Sequence, residues 1–312
     1  MEFRIKPLVK GVLSFALPSL GTGHAARDYT GSTDVSEFCY SIFLRHFSYI
    51  SQFTNGNVPR VVAELGPGSS IGMGLAALIA GAELYYGLDM IDHTDVARNL
   101  LIFDDLVDLF RRRTRVPSGG LHDTTFPLPL NWQFPASIEK NLDRLLDGER
   151  IRSLRNDLAR QSGKSIRMAV PWTKADIVPH HSVDWLFSHS VMEHVDALEE
   201  VYRCCALWLQ RGGMMTHLID YDSHEITKHG NGHWAVSDLT WTLIRGRRPY
   251  LINRMPHSWQ TSLIKNNNFS IENEVHCIRG GGLPKEEFTA AFRQMSDSDS
   301  KIGMAFVACR AH

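Results

Sequence analysis

The sequence predicts an α/β protein whose sheet is mostly parallel and is covered by helices on both faces. Strand-like and helix-like segments alternate along most of the 312 residues. Such alternation is typical of parallel strands joined by crossover helices. The chain ends in two strand-like segments with only a short connection, which favours an antiparallel edge on the sheet. The length fits one large domain with insertions or two small ones.

The elements follow from the spacing of apolar residues. Residues 33–53 place apolar side chains on one stripe, which predicts an amphipathic helix. The later elements are, in order, a strand over 60–65, a helix ending at Ala80, a strand over 83–90, a helix over 94–114, a helix over 136–162 with a potential break at Gly148, strands over 165–170 and 183–189, a helix over 195–210, a strand over 213–219, a helix over 257–267, and strands over 269–278 and 303–310. Residues 116–135 and 220–256 are irregular.

The composition excludes several classes of partner and location. The formal net charge is -1 and the pI is about 6.9, so no global field favours nucleic acid or an anionic membrane. No apolar run approaches the roughly 20 residues that span a bilayer. Five cysteines without a CxxC pair favour a reduced, cytoplasmic environment. The N-terminal residues imitate a signal peptide, but Gly11 and Pro18 interrupt its apolar part, so residues 1–57 are interpreted as an arm and a helix.

A glycine-rich turn after the first central strand is the main candidate site. Glu64 lies near the end of that strand, and Gly66, Pro67 and Gly68 follow it. Glycines there let a ligand approach the backbone closely. About twenty residues later Asp89 ends the next strand, where a carboxylate can accept hydrogen bonds from both hydroxyls of a ribose. The pattern indicates a cofactor that contains a nucleoside.

The glycine spacing discriminates between two classes of cofactor. Dinucleotide enzymes use GxGxxG and place a pyrophosphate on the helix N-terminus. Here Gly66, Gly68 and Gly72 give GxGxxxG, and Glu64 would lie beside that negative pyrophosphate. A carboxylate in this place suits a cationic amino group better. A nicotinamide-dependent oxidoreductase is therefore disfavoured and stays as an alternative.

Four ordered motifs resemble those of class I S-adenosylmethionine-dependent methyltransferases. They are ELGPG at 64–68, GLDM at 87–90, VDWLFSHSVMEHV at 183–195 and LWLQRGGMM at 207–215. The resemblance implies a Rossmann-like sheet of seven strands in the order 3-2-1-4-5-7-6, with the last strand antiparallel. It also implies that the enzyme binds S-adenosyl-L-methionine and transfers its methyl group.

The resemblance also implies how the chain is divided. Residues 1–312 would form a single methyltransferase domain. Its core would comprise 58–115, 165–219 and 257–312. The remaining segments, 116–164 and 220–256, would be insertions that cover the carboxyl end of the sheet as a substrate lid.

Each residue that matches a motif receives an expected role. Glu64 would face the amino group of the methionine through water, and the Gly66–Gly68 backbone would pass under the methionine. Asp89 would hold the ribose, and Met90 would lie against the adenine. Ser188 and His189, at the end of the fourth strand, would line the methionine end.

The expected adenine contact departs from the family pattern. Many relatives carry an acidic residue just after the third strand to meet the adenine amino group. Here Trp172 and Thr173 occupy that place, and Asp176 follows three residues later.

Histidines and aspartates are concentrated after the fifth strand, where a base is needed if the acceptor is a hydroxyl. Histidine is the usual base near neutral pH, and a carboxylate can orient it. His217 and Asp220 are predicted to be this pair, with His224 and His233 as fallback candidates. For any one histidine a purely structural role is the alternative. The same cluster could hold a divalent metal, but no metal-binding motif supports this, so no ligand is assigned.

The acceptor is predicted to be a small molecule and not a nucleic acid. Residues 220–256 interleave arginines with aromatic residues, which suits a sugar ring or a phosphate and equally suits a surface loop held by stacking. These residues are Arg245, Arg247, Arg248, Arg254, Trp234, Trp241 and Tyr250. This region, together with FCYSIFLRHF at 38–47, resembles bacterial methyltransferases of surface-polysaccharide synthesis. That resemblance implies O-methylation of a sugar or glycan intermediate, and a non-catalytic S-adenosylmethionine-binding subunit is a further alternative.

Overall fold

Seven strands form one mixed sheet in the order β3-β2-β1-β4-β5-β7-β6. The computed structural model describes residues 2–17, 32–116, 126–129, 131–172 and 174–312. The strands are β1 (Val61–Leu65), β2 (Leu84–Leu88), β3 (Ile166–Ala169), β4 (Val183–His189), β5 (Leu209–Asp220), β6 (Phe269–Ile278) and β7 (Ile302–Ala311). The first five run parallel, and β7 lies antiparallel between β5 and β6. The predicted strand order and antiparallel last strand are therefore confirmed.

Helices cover both faces of this sheet. In the described part of the chain they are α1 (Ile5–Ala16), α2 (Ser36–Ile50), α3 (Gly72–Ala80), α4 (Val96–Arg112), α5 (Ala136–Leu145), α6 (Gly148–Arg160), α7 (Leu198–Trp208), α8 (Asp238–Arg245), α9 (His257–Asn266) and the single turn α10 (Asp297–Ser300). The helix predicted over 136–162 is two helices. Asp147 accepts a hydrogen bond from the Glu149 backbone N–H at 2.9 Å and starts the second one at Gly148.

The core consists of two apolar layers, one on each face of the sheet. Helices α2 to α6 pack on the face that carries Val62, Tyr85 and Phe187. Helices α7 and α9 pack on the other face, which carries Leu186 and Met215. The side chains of a strand alternate between faces, so each strand contributes to both layers. Among the described residues, no helix has the length and apolar character that crossing a membrane requires.

The helical part of the first insertion does not lie over the carboxyl end of the sheet, and here the expected lid is wrong. Helices α5 and α6 bury Leu142 and Leu154 in the same core as α3 and α4. The Arg150 guanidinium donates to the carbonyl of Leu78 at 2.6 Å, in the last turn of α3. That end of α3 precedes β2 and therefore lies at the amino end of the strands. The apolar stripes of α5 and α6 thus make them part of the helical layer.

The second insertion lies at the carboxyl end of β4, as expected for a cover over the site. The Asn253 backbone N–H donates to the carbonyl of Glu193 at 2.7 Å. The Asn253 side chain donates to the carbonyls of Met192 and Val195 at 2.8 and 2.7 Å. Three hydrogen bonds from one residue therefore fasten the insertion to the loop that follows β4.

The N-terminal arm rests on this second insertion. The Arg4 backbone N–H donates to the carbonyl of Ile226 at 2.9 Å, and Phe3 forms an antiparallel bridge with Thr227. Helix α1 crosses α8 at Gly11, where a Cβ atom would stand 2.1 Å from the carbonyl oxygen of Leu243. A glycine is required at this crossing because the two backbones touch.

Asp157 ties the end of α6 to the start of β3. Its carboxylate accepts hydrogen bonds from the backbone N–H groups of Ser165 and Ile166 at 2.6 and 3.2 Å. We expect Asp157→Ala to lower the free energy of unfolding by about 1–3 kcal/mol, because buried N–H groups would lose their acceptor. Urea denaturation measures the loss. The exposed Asp143→Ala serves as the matched control, and equal values for the two variants would contradict the assigned role.

Candidate active site

The turn after β1 can be built only with glycine at two positions. Gly66 and Gly68 have φ angles of +66° and +75°, in the left-handed region that favours glycine. A Cβ atom on Gly66 would also stand 2.6 Å from Cγ2 of Val191. Pro67 between them is buried, and the Gly66 N–H donates to the carbonyl of Leu88 at 2.8 Å. The turn therefore presents bare backbone at the carboxyl ends of β1 and β2.

A buried carboxyl group lies directly before this turn. Glu64 has no exposed surface, and its Oε2 accepts a hydrogen bond from the Tyr85 hydroxyl at 2.6 Å. Its Oε1 is also buried and has no hydrogen-bond partner among the described residues. Burial raises the pKa of Glu64 to about 8. A cationic group brought near this oxygen would stabilise the ionised form.

A second carboxylate flanks the turn from the end of β2. Asp89 Oδ1 accepts from the Met90 N–H at 2.7 Å, and Oδ2 accepts a long hydrogen bond from the Gly68 N–H at 3.4 Å. Burial raises the pKa of Asp89 above its usual value. The Met90 side chain is exposed. Asp89 therefore lies at the end of β2, beside the backbone of the glycine turn.

Trp172 lies beside Asp89 on the side expected for the adenine. Its backbone N–H donates to the Asp89 carbonyl at 3.0 Å. Its ring packs edge-to-face on Trp208 with centroids 5.3 Å apart. Thr173, the other residue expected here, lies outside the described residues.

Ser188 and His189 end β4 on opposite faces of the sheet. Ser188 is buried on the α7 face, where its Oγ and Nδ1 of His217 form a hydrogen bond of 2.7 Å. His189 points to the α2 face, where its ring packs edge-to-face on Phe38 at 5.6 Å. Of the two, His189 is the partly exposed one.

The predicted pair of His217 and Asp220 does not form. The two residues are three apart on β5, and side chains three apart on a strand point to opposite faces. His217 is fully buried against Tyr202 of α7, and burial lowers its pKa to about 3. Asp220 instead contacts His224, with 3.1 Å between Asp220 Oδ2 and His224 Nε2. The chain turns after β5 and brings these two residues together.

The His224 imidazole is well placed to act as a base. Burial alone lowers its pKa, but the hydrogen bond and the charge of Asp220 outweigh burial and raise the pKa above the usual value. About a third of the His224 side chain is exposed. The fallback candidate His233, by contrast, is buried, and its pKa is lowered well below the usual value mainly by burial.

Two residues that the sequence analysis did not assign join this pair. His194 Nδ1 donates to the carbonyl of Tyr250 at 2.7 Å, and its ring centroid lies 5.2 Å from that of His224. Glu193 is buried, and neither of its carboxylate oxygens has a hydrogen-bond partner within the described ranges. One donor atom each from Glu193, His194 and His224 lie within 4.8 Å of one another, close enough to share one cation or one polar ligand.

A sequence signal for Glu193 and His194 was present. They lie at the end of the fourth motif, directly before the helix predicted over 195–210. A short turn spans Met192–His194, and helix α7 begins only at Leu198. Polar residues directly after the carboxyl end of a parallel strand are a general sign of a binding site.

Three of the four arginines of the second insertion are engaged in packing, hydrogen bonds or ion pairs. Arg254 stacks over the Trp241 ring, 4.9 Å from its centroid, and pairs with Asp238 at 2.5 Å. Arg245 pairs with Asp196, and the Arg248 guanidinium donates to the carbonyl of Pro7 at 3.1 Å. These contacts match the alternative of a loop held by stacking. They remove the support that the arginines gave to a sugar or phosphate acceptor.

Comparisons with known proteins give structural neighbours only. No family model and no curated protein matches the sequence. An S-adenosylmethionine dependent methyltransferase from Mesorhizobium loti has 14% identity and a TM-score of 0.38, covering 84% of this chain and 97% of that one. A phosphoethanolamine N-methyltransferase 2 from Haemonchus contortus, in complex with S-adenosyl-L-methionine, has 13% identity and a TM-score of 0.44, covering 93% and 60%. The fold is defined by the strand order and register themselves.

The raised pKa of Glu64 has a consequence for stability. In the folded chain Glu64 keeps its proton up to about pH 8, whereas the ordinary pKa, which applies to the unfolded chain, is 4.5. As the pH rises between these values, only the unfolded chain releases the proton, so the free energy of unfolding falls. We expect the free energy of unfolding of the Glu64→Gln variant to rise relative to the wild type from pH 5 to about pH 8. Denaturation at both pH values measures this difference. The exposed Glu286→Gln variant should show no such trend; a flat difference for Glu64→Gln would contradict the buried carboxyl group.

Proposed function

We propose that this protein is an S-adenosyl-L-methionine-dependent methyltransferase that acts on a hydroxyl group of a small molecule. One observation carries the cofactor assignment. Within the part of the chain that the structure describes, the buried Glu64 leaves one carboxylate oxygen without a partner beside a turn of left-handed glycines, and Asp89 lies at the next strand end. Such residues suit three parts of this cofactor, which are its amino group, the methionine chain that would lie close to the backbone, and the ribose.

The residues fit the cofactor in an order set by the strands. Glu64 would hold the amino group, and the backbone from Gly66 through Pro67 to Gly68 would lie along the methionine. Asp89 would accept the ribose hydroxyls. When bound, the cofactor supplies a methyl group on a sulfonium, which is a good leaving group.

The other predicted contacts lie on either side of Glu64, the glycine turn and Asp89. Met90 and Trp172 are next to Asp89 and would enclose the adenine, with Thr173 as a further expected contact. Ser188 and His189 end β4 beside the turn and would line the methionine end. His217 contributes by holding the Ser188 hydroxyl in place.

The acceptor would lie between the turn and the second insertion. His194 and His224 face each other there, and Asp220 orients the His224 imidazole. A neutral His224 would take the proton from the acceptor hydroxyl, and an aliphatic hydroxyl needs such a base near neutral pH. The insertion, fastened by Asn253, would exclude water from this space. A sugar or glycan intermediate is the acceptor class that the resemblance implies, and the arginines of the insertion do not contribute to that assignment.

The cofactor assignment is tested by binding measurements on the full chain. We expect S-adenosylhomocysteine to bind and NAD not to bind, as measured by titration calorimetry. The Asp89→Ala variant should lose about 1.5–3 kcal/mol of affinity, which is roughly 10- to 150-fold, because the acceptor for both ribose hydroxyls is removed.

The neighbouring Asp92→Ala is the matched control for this variant. Asp92 is exposed and accepts hydrogen bonds only from Thr94 among the contacts that the structure shows. The affinity of the Asp92→Ala variant for S-adenosylhomocysteine should equal that of the wild type. Binding of NAD alone, or equal losses in both aspartate variants, would overturn the cofactor assignment and return the oxidoreductase alternative.

The base is tested by the pH dependence of methyl transfer. Because Asp220 raises the pKa of His224, kcat/KM should rise with pH through an ionisation above about 6.5, the ordinary histidine value. His224→Ala should lower kcat by about 10²- to 10⁴-fold, the usual worth of general base catalysis. Asp220→Asn should move the ionisation to lower pH, since the orienting charge is lost.

The exposed His180→Ala is the control and should keep full activity. Cofactor affinity should stay the same in all three variants, because none of these residues is assigned to the cofactor. A fully active His224→Ala enzyme would rule out His224 as the base. An enzyme that binds the cofactor but methylates no hydroxyl compound would favour the non-catalytic alternative.

A further inference from the structure

A second cluster of metal-ligating side chains lies at the edge of the sheet, away from the glycine turn. Glu274 and His276 are two residues apart on β6, the edge strand, so their side chains share one face. His257 is the first residue of α9, which packs against that face. Three side chains from two elements thus meet at one place.

The donor atoms of the cluster converge on one point. His276 Nε2 lies 2.5 Å from Glu274 Oε1, and His257 Nε2 contacts the same oxygen. The two Nε2 atoms are 3.2 Å apart. Without a cation, one of these ring nitrogens must accept a hydrogen bond from the other, because two protonated nitrogens at this distance would repel each other; a shared cation would let both present lone pairs.

The separation of the two histidine nitrogens fits the ligand sphere of zinc, and the Glu274 oxygen lies closer to both than such a sphere allows. Zinc–nitrogen bonds of about 2.0–2.1 Å at tetrahedral angles place neighbouring ligand atoms about 3.3 Å apart. The separation of the two histidine nitrogens is close to this value. Glu274 would need to withdraw by less than about 1 Å to admit the ion at such bond lengths, and its side chain is 32% exposed and therefore able to move.

Tyr221, which would not contact the ion itself, fixes the orientation of His257, the most buried of the three ligands. His257 Nδ1 lies 3.0 Å from the hydroxyl oxygen of Tyr221, which is itself buried. A proton on Nδ1 leaves the Nε2 lone pair for a metal, which is the arrangement usual for histidine ligands. On the open side, a cavity bounded by Ser258 and Asp299 leaves room for a water molecule as a fourth ligand.

We propose that His257, Glu274 and His276 bind one zinc ion, which joins the start of α9 to the edge strand β6. The site lies away from the glycine turn and does not depend on methyl transfer. Tyr221 positions His257 and does not touch the ion. The ion would fasten the first residue of α9 to β6, the strand that follows α9 in the chain.

Metal binding to the full chain tests the proposal. The purified protein is stripped with a chelator, the chelator is removed, and zinc chloride is titrated in by calorimetry while Tm is followed. We expect one equivalent to bind at this site and to raise Tm. His276→Ala and Glu274→Gln should each weaken this binding by more than about 100-fold, and Tyr221→Phe by about 10- to 100-fold, the usual effect of an outer partner.

Two controls separate this site from other histidines. His180→Ala changes an exposed histidine, and His224→Ala changes the group beside Glu193; both should bind zinc at this site as the wild type does. Cobalt(II) should give a visible absorption band in the wild type that is absent in His276→Ala. Zinc affinity unchanged in His276→Ala and Glu274→Gln, or lost only in His224→Ala, would overturn the proposal.

Discussion

The alternation of side chains along the central strands decides which groups of this protein can meet. On β1 it places Glu64 on the α3 face beside Tyr85. On β4 and β5 it places Ser188 and His217 together on the α7 face. Only at the carboxyl ends, where each strand gives way to a turn, can groups from both faces approach one ligand. The candidate site therefore lies in the turns, and the strands only position it.

Most of the fold could be predicted from the sequence because its signals are local. Apolar strands, amphipathic helices and a glycine turn are each defined by a few neighbouring residues, and a parallel sheet follows from their alternation. The order of the strands came from the resemblance, since periodicity does not contain it. The carboxylates at Glu64 and Asp89 were found because each is fixed by its place at a strand end.

The parts that could not be predicted depend on contacts between distant segments. His217 and Asp220 are near in sequence, but the strand separates their side chains, whereas the turn after β5 joins Asp220 to His224. Helices α5 and α6 were expected in a lid, yet their leucines are buried in the helical layer against the sheet. The cluster of His257, Glu274 and His276 joins a helix to an edge strand, and neither segment has a metal motif of its own.

The close crossing of α1 and α8 has a consequence for engineering. Gly11 touches the carbonyls of Leu243 and Ile244, and Gly246 in turn lies against the carbonyl of Gly11. At this crossing the arm and the second insertion meet backbone to backbone, with no side chain between them. A chimera that takes residues 220–256 from another protein would therefore need that protein's arm as well. The two segments are far apart in sequence, but they would have to be exchanged together.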